Sequence, residues 1–204
     1  IRRLHKREML RIATREIVDR VLATESARDL SHLADALLQA ALDCATEEVT
    51  QRYGIPLRAP NPTDVSSAHA GAANTRRTQP AAFVILGLGK LGGEELNYSS
   101  DIDLLFLYEG DGETSGGSAG TVPNTVYFQK LCELLIRLLS EPTADGFAYR
   151  VDMRLRPHGR LGPLAVELAQ AIEYYSTFGR AWERQALIKA RPCAGDLALG
   201  EAFL

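Results

Sequence analysis

The sequence predicts an α+β domain with an α/β-like pattern, preceded by a helical segment. Three features indicate this class. Apolar residues recur at helical spacing in the first fifty residues, short apolar runs typical of buried strands follow residue 81, and amphipathic helical patterns lie between and after those runs. We expect a helical segment over 1–54, a flexible linker or loop over 55–80, and the α+β domain over 81–204.

The helical segment and the linker differ in composition. After a predicted break near residues 26–29, one apolar stripe at helical spacing runs through residues 30–49, and Gly54 and Pro56 end it. We expect the two helices to pack on each other or on a part of the protein outside this sequence. Residues 55–80 are rich in Pro, Ser, Thr, Asn and Gly and poor in large apolar residues, which is typical of a linker.

Residues 81–204 alternate between short apolar runs and amphipathic stretches. We expect strands at 83–86, 102–108 and 147–155, and helices at 94–98, 126–139, 166–178 and 182–190. A helical pattern is still under way at the last residues, and the sequence opens without Met. The chain is therefore expected to be a piece of a longer protein, with its last domain truncated.

Composition excludes several classes of protein. No run approaches the roughly 20 apolar residues of a membrane span, so we expect no membrane association. The three cysteines are few and far apart, which favours a reducing cytoplasm over a disulfide framework or a zinc cluster. The net charge of −3 argues against nucleic acid as a partner, although a local basic patch remains possible on this count.

The strongest local signal is a pair of carboxylates at the start of the second predicted strand. Asp101 and Asp103 are two residues apart, so their side chains share one face, roughly 7 Å apart along the strand. Two carboxylates so placed repel each other, and a hard cation such as Mg²⁺ relieves that repulsion. The pair alone is equally compatible with a turn that merely begins with acidic residues.

The third predicted strand adds a polar face. Arg150, Asp152, Arg154 and Arg156 alternate with apolar residues. If this strand lies beside the Asp101 strand, Asp152 becomes a third carboxylate and the arginines can bind phosphate. This is the equipment of metal-dependent phosphoryl or nucleotidyl transfer, with two metal ions. A solvated edge strand with ion-paired side chains is the alternative.

A glycine loop precedes the acidic pair. Residues 87–92 match G-x-G-x-x-G after a strand, which formally permits a dinucleotide-binding fold. The next helix is too short and too polar for that fold, and the acidic residues follow too soon. A loop whose N–H groups and Lys90 approach a nucleotide phosphate remains.

Other residues have plainer interpretations. Trp182, Tyr174, Tyr175 and Phe178 are expected in the core, and His158 is given no role. Lys189 and Arg191 could reach a phosphate, but a solvated helix face explains them equally well.

Three motifs in order resemble those of the glutamine synthetase adenylyltransferases. They are GLGKLGGEELNYSSDIDL at 87–104, YRVDMRLRP at 149–157 and WERQALIKAR at 182–191, and the run LSHLADALL at 30–38 is also similar. The resemblance covers most of the chain, and the linker is its least characteristic part.

The resemblance implies the nucleotidyltransferase fold, a small mixed β-sheet flanked by helices. It makes Asp101, Asp103 and Asp152 the catalytic, metal-binding carboxylates, with Mg²⁺ as the metal and two ions expected. Gly89 and Lys90 then occupy the glycine step of the fold, where the wider superfamily usually has a small residue in place of lysine. The full set expected to bind nucleotide or phosphate is Gly89, Lys90, Ser100, Arg150, Arg154 and Arg156.

The resemblance also implies a substrate and partners. Members of the family carry two such domains: the N-terminal one removes AMP from a tyrosine of glutamine synthetase by phosphorolysis and releases ADP, and the C-terminal one attaches AMP from ATP. Asn97, residues 99–100 and residues 150–154 look more like the removing half. Glutamine synthetase and a PII-type nitrogen signal protein, the latter through the full-length chain, are the implied partners.

Three alternatives stay open at this point. They are the adenylylating half of the same enzyme, a non-catalytic nucleotide-binding module of the same fold, and, more weakly, an NAD enzyme of the Rossmann type.

Overall fold

The computed structural model describes residues 1–59 and 78–204. The described helices are α1 (Arg2–Val18), α2 (Ala23–Tyr53), α3 (Gly89–Gly92), α4 (Asn124–Ser140), α5 (Leu168–Glu173), α6 (Ala181–Ala186) and α7 (Leu197–Phe203). The described strands are β1 (Leu57–Arg58), β2 (Gln79–Pro80), β3 (Phe83–Gly87), β4 (Ile102–Tyr108), β5 (Val151–Asp152), β6 (Ala165–Glu167) and β7 (Arg191–Gly195). No helix of the described part is long and apolar enough to cross a membrane.

The first two helices pack on each other, as predicted. Ile12 of α1 is buried in the same core as the apolar stripe of α2, and Arg15 of α1 pairs with Asp29 of α2 at 2.5 Å. The predicted break near 26–29 is wrong, because those residues lie inside α2. The break comes earlier, where Arg20 takes a left-handed φ of +54° that a continuous helix does not allow.

The ends of the predicted linker are paired with each other. Leu57 lies opposite Pro80, and Arg58 lies opposite Gln79, in a short antiparallel ladder. The middle of the predicted linker, residues 60–77, lies outside the described residues. Apolar residues of α2 and of the sheet share one core, so the division at 54 and 81 stays a prediction.

The sheet has β4 at its centre. The strand order is β5-β4-β3-β7, and β6 also pairs with β4. β3 runs antiparallel to both β4 and β7, whereas β5 and β6 run parallel to β4. This is the small mixed sheet of the expected α+β class, and the antiparallel β3–β4 pair excludes the parallel βαβ unit of a Rossmann fold.

Both faces of the sheet are covered. Ile102, Leu104 and Phe106 of β4 face the core shared with α1, α2 and α4. Leu105 and Leu107 face a second core, which includes Ala171 of α5 and Leu199 of α7. Asp101 and Asp103 thus share the face of the second core, as the two-residue period of a strand requires.

The strands at 83–86 and 102–108 and the helix at 126–139 are confirmed within a few residues. The short helix predicted at 94–98 is wrong, because the helical turn falls earlier, in α3. Strands β6 and β7 were missed: β6 covers the first residues of the helix predicted at 166–178, and β7 follows the helix predicted at 182–190. Both strands are short and pair with strands that are distant in sequence, so the local hydrophobic pattern does not predict them.

The third predicted strand, 147–155, is wrong for most of its length, since only β5 is formed. Beyond it the chain turns, with His158 and Gly159 at φ of +61° and +55°. Alternation therefore stops predicting faces after residue 153, where extended structure ends.

Candidate active site

The candidate site lies at the edge of the sheet where β3 ends and β4 begins. Gly87 is the register partner of Leu104 on one side and of Arg191 on the other. The next residue, Leu88, donates its N–H to the carbonyl of Asp103 at 2.9 Å. The antiparallel turn of the chain therefore brings the glycine loop directly against the acidic pair.

Gly89 is required at the closest approach. Its φ is +52°, and a Cβ there would lie 2.9 Å from Oδ2 of Asp103. Any side chain at residue 89 would meet both a strained backbone and a carboxylate. Lys90, the next residue, is exposed.

The third carboxylate comes from the neighbouring strand. β5 runs parallel to β4 with Asp152 as the register partner of Asp103, so the two side chains project from adjacent positions on the same face. Burial is the main cause that raises the pKa of Asp103, and the charges of Asp152 and Asp101 raise it further. The three carboxylates are thus close enough to repel one another.

Two arginines neutralise the outer carboxylates. Arg150 Nε contacts Oδ1 of Asp101 at 2.5 Å, and its Nη2 donates to the carbonyl of Ser99 at 3.0 Å. Arg154 Nε donates to Oδ2 of Asp152 at 2.8 Å, and this hydrogen bond lowers the pKa of Asp152. Both arginine side chains are more than half exposed, so either can exchange a carboxylate for an anionic ligand.

Arg156 lines the same surface cleft as Asp152 and Arg154, but its hydrogen bonds point into the protein, contrary to the alternation of the sequence. It is buried, and it donates to the main-chain carbonyls of Met153, Gly162 and Pro163 at 2.6, 2.9 and 2.9 Å. Since its donors are already engaged, its contacts favour a structural role in the turn after β5.

Arg160 is the residue that sequence reasoning missed. It borders a cleft of about 350 Å³ together with Asp101, Asp152 and Arg154, and its charge lowers the pKa of Asp152. The only sequence signal was its place in a Pro/Gly-rich loop after the third motif.

Ser100 faces its own loop. Its hydroxyl donates to Oδ1 of Asn97 at 2.6 Å, and its N–H donates to the Asn97 carbonyl at 3.2 Å. In this arrangement Ser100 shapes the turn that delivers Asp101 to the sheet edge.

The glycine loop is held from behind by charged side chains. Arg191 of β7 forms a two-fold ion pair with Asp35 of α2, with N–O distances of 2.8 and 3.1 Å. Lys189 pairs with Glu95 at 2.7 Å. These ion pairs explain the charges of Lys189 and Arg191 without a bound phosphate. The pair between Arg191 and Asp35 also fixes the glycine loop relative to α2.

A larger cavity of about 730 Å³ lies elsewhere, between α2 and α4. Its walls are largely apolar, and the described lining contains Asp43 and Glu47 but no Lys or Arg. Its lining therefore offers no positive charge for phosphate groups, whereas the smaller cleft does.

The three carboxylates suit a magnesium ion by chemistry, since carboxylate oxygens are its preferred protein ligands. As the side chains stand, no group of three or more Asp, Glu, His or Cys in residues 1–59 and 78–204 converges closely enough to hold a metal. The two ion pairs give the physical reason: Arg150 and Arg154 draw Asp101 and Asp152 toward themselves.

A mixed sheet with a glycine loop entering at an antiparallel strand pair, and acidic residues on two adjacent strands, defines an α+β domain of the nucleotidyltransferase type. The family model described as glutamate-ammonia ligase adenylyltransferase matches residues 1–204. The chain belongs to this family.

Relatives carry the same family name. A "bifunctional glutamine synthetase adenylyltransferase/adenylyl-removing enzyme" of Pseudomonas aeruginosa is 41% identical over all 204 residues, and those of Thioalkalivibrio sulfidiphilus and Nitrosococcus oceani are 42% and 44% identical over the same length. In each case the match covers 19% of the relative, so the chain spans about a fifth of the length of these relatives.

Proposed function

We propose that this chain is a Mg²⁺-dependent nucleotidyltransferase domain that acts on glutamine synthetase, in the direction that removes AMP. The observation that carries the proposal is the meeting of three carboxylates and four cationic side chains at one sheet edge. The set is Asp101, Asp103, Asp152, Lys90, Arg150, Arg154 and Arg160. Membership of the family and the names of the relatives support the substrate.

Asp101, Asp103 and Asp152 would hold the metal, with two ions expected. Bound there, Mg²⁺ would neutralise charge that develops on phosphoryl oxygens. Asp103 lies next to Gly89, and both other carboxylates raise its pKa, so a cation bound there would relieve this repulsion.

The arginines bind and orient phosphate groups. Arg150 and Arg154 can leave Asp101 and Asp152 for phosphate oxygens, because both guanidinium side chains are more than half exposed. A guanidinium presents paired donors that match a phosphate, so the exchange gives a fixed orientation as well as charge. Lys90 and Arg160 add positive charge from the glycine loop and from the turn after β5.

In the proposed reaction, an oxygen of orthophosphate attacks the phosphorus of the AMP group on the target tyrosine. The bond from that phosphorus to the tyrosine oxygen breaks, the tyrosine oxygen takes up a proton, and ADP leaves. Two anionic reactants must lie in line, which demands more fixed positive charge than attack by a neutral hydroxyl. The cluster of cationic residues around the carboxylates supports this direction.

The experiment that tests the proposal uses adenylylated glutamine synthetase, Mg²⁺ and orthophosphate. We expect release of ADP that depends on orthophosphate and is abolished in Asp103→Asn. ATP-dependent labelling of unmodified glutamine synthetase, without ADP release, would assign the adenylylating reaction instead. Nucleotide binding with neither reaction would make the domain a binding module.

The remaining parts of the proposal concern context. The family resemblance supports an adenine nucleotide as substrate or product, and a PII-type signal protein as a partner that acts through a longer chain. The composition supports a cytoplasmic location, with neither nucleic acid nor membrane as a partner. Nucleotide binding by the purified chain in the presence of Mg²⁺ is the first of these to measure.

A further inference from the structure

A cleft of about 540 Å³ lies beside the turn that follows β5, and we call it the aromatic cleft. It is lined by Leu161, Tyr174, Arg180 and Trp182, among others. Trp182 was expected in the core, yet it is 51% exposed, and Leu161 is 96% exposed. Large apolar side chains exposed around a concave surface are typical of a ligand site.

The aromatic cleft and the acidic cleft share one wall. The turn at Gly159–Leu161 places Arg160 in the acidic cleft, while its neighbours Gly159 and Leu161 line the aromatic cleft. The two clefts therefore lie on either side of a single turn of the chain.

This wall is rigidly built. Arg156 donates to carbonyls on both sides of the turn, including those of Met153 and Gly162. His158 packs edge-on against the ring of Tyr174, with centroids 4.6 Å apart. The two clefts are thus fixed relative to each other before any ligand binds, which lowers the ordering cost of binding.

The far side of the aromatic cleft is also anchored. Glu183 is buried, accepts a hydrogen bond from the Tyr174 hydroxyl at 2.7 Å and accepts another from the Arg180 N–H at 2.8 Å. These contacts fix the first turn of α6, and with it the backbone of Trp182. The exposed indole is therefore held at the cleft by its neighbours, not by burial of its own ring.

We propose that the aromatic cleft binds the purine base of the nucleotide whose phosphates lie in the acidic cleft, with Trp182 as the stacking surface. The assignment rests on the proposed function for the identity of the nucleotide. A purine is flat and aromatic, and stacking on an indole is a main source of affinity for bases in protein sites. Arg180 at the rim supplies hydrogen-bond donors for ring nitrogens.

Trp182 is the only tryptophan of the chain, so its fluorescence reports on this cleft alone. We expect ADP and AMP to change its emission saturably. Ribose 5-phosphate and orthophosphate should displace ADP while changing the emission of the free protein little. An emission that ADP does not alter, under conditions where calorimetry shows ADP binding, would overturn the proposal.

The matched variants are Trp182→Ala, Trp182→Phe and Phe178→Ala, all measured by calorimetry. Trp182→Ala should weaken ADP binding about 10-fold and leave ribose 5-phosphate binding unchanged, and Trp182→Phe should restore most of the loss. Phe178 is 68% exposed and does not contribute to the lining of the aromatic cleft, so its variant should bind as the wild type.

Leu161→Ala gives an independent check, because a side chain that is 96% exposed contributes little to folding. It should weaken ADP binding two- to threefold. Equal losses for ADP and ribose 5-phosphate in Trp182→Ala would indicate a merely structural role and overturn the proposal. So would a raised KM for adenylylated glutamine synthetase with unchanged ADP affinity, which would assign the cleft to the protein substrate.

The subsite and the proposed reaction can fail separately. If ADP release proceeds but Trp182 plays no part in ADP binding, the subsite is wrong and the function stands. If ADP binds through Trp182 but orthophosphate releases no ADP from the adenylylated enzyme, the function is wrong and the subsite stands.

Discussion

The candidate site has two arms, one that carries Asp103 and one that carries Asp152, and they are held in different ways. Asp103 lies on β4, a seven-residue strand that is paired along both edges and whose residues from Leu104 onward are buried. Asp152 lies on β5, a strand of only two residues at the edge of the sheet. The first arm is positioned by the core of the domain, and the second depends on the arginine-held turn that follows it.

Similar residues in one motif therefore have different roles. Arg154 and Arg156 are two residues apart, yet Arg154 is exposed on a carboxylate and Arg156 is buried on carbonyls. Substitution of the first should affect ligand binding, and substitution of the second should affect folding.

Asp101→Asn and Asp103→Asn test the arm held by the core. We expect turnover to fall on the order of 10³-fold, because the metal loses a charged ligand and with it several kcal/mol of transition-state stabilisation. The fold should persist, since removing one of three repelling carboxylates costs little stability. Steady-state kinetics and thermal unfolding on the same preparation measure both, and near wild-type turnover would contradict the metal-site interpretation.

Arg156→Ala tests the arm held by the turn. We expect the free energy of unfolding to fall by about 2–3 kcal/mol, because the substitution leaves main-chain carbonyls without their donor. Urea unfolding measures the loss, and Arg156→Lys should recover only part of it since lysine cannot reach several carbonyls at once. A variant that folds normally and loses only phosphate affinity would restore Arg156 to the phosphate-binding set.

Arg154→Ala should give the complementary result. We expect orthophosphate and ADP to bind about 10-fold more weakly, and stability to change by less than ~1 kcal/mol, since the Arg154 side chain is largely exposed and contributes little to the core. Lys130→Ala removes a comparable exposed ion pair, with Glu133, away from the site and is the control. Equal effects of the two substitutions on binding would remove Arg154 from the site.

Asp103→Asn should also change the dependence of stability on pH in metal-free buffer. The pKa of Asp103 is raised in the folded protein, so the stability that protonated Asp103 contributes is complete below the ordinary value of 3.8 and is lost as pH rises through the folded value. Asparagine does not ionise, so the variant loses no stability at this position as the pH rises.

The variant should therefore have a higher Tm than the wild type near neutral pH, because only the wild type has lost this contribution. The advantage should vanish below pH 3.8. Thermal unfolding at a series of pH values with a chelator present measures it. A gain that is the same at every pH would show that the effect is not electrostatic.

Local patterns in the sequence were sufficient wherever the chain is regular. The period of α2 and α4, the apolar runs of β3 and β4, and the shared face of Asp101 and Asp103 were all predicted, because each depends on residues a few positions apart. The resemblance of three motifs also led to the family that the family model confirms.

The tertiary structure alone decided the rest. β6 and β7 exist because β4 and β3 offer them unpaired edges, and that condition involves residues distant in sequence. Arg156 is buried, against expectation, because the chain leaves the extended conformation after Met153 and turns through left-handed residues. Trp182 of α6 is exposed, also against expectation. Alternation assigns faces only while a strand continues, so the wall between the two clefts, and the cation Arg160 that it carries, could be found only in the folded chain.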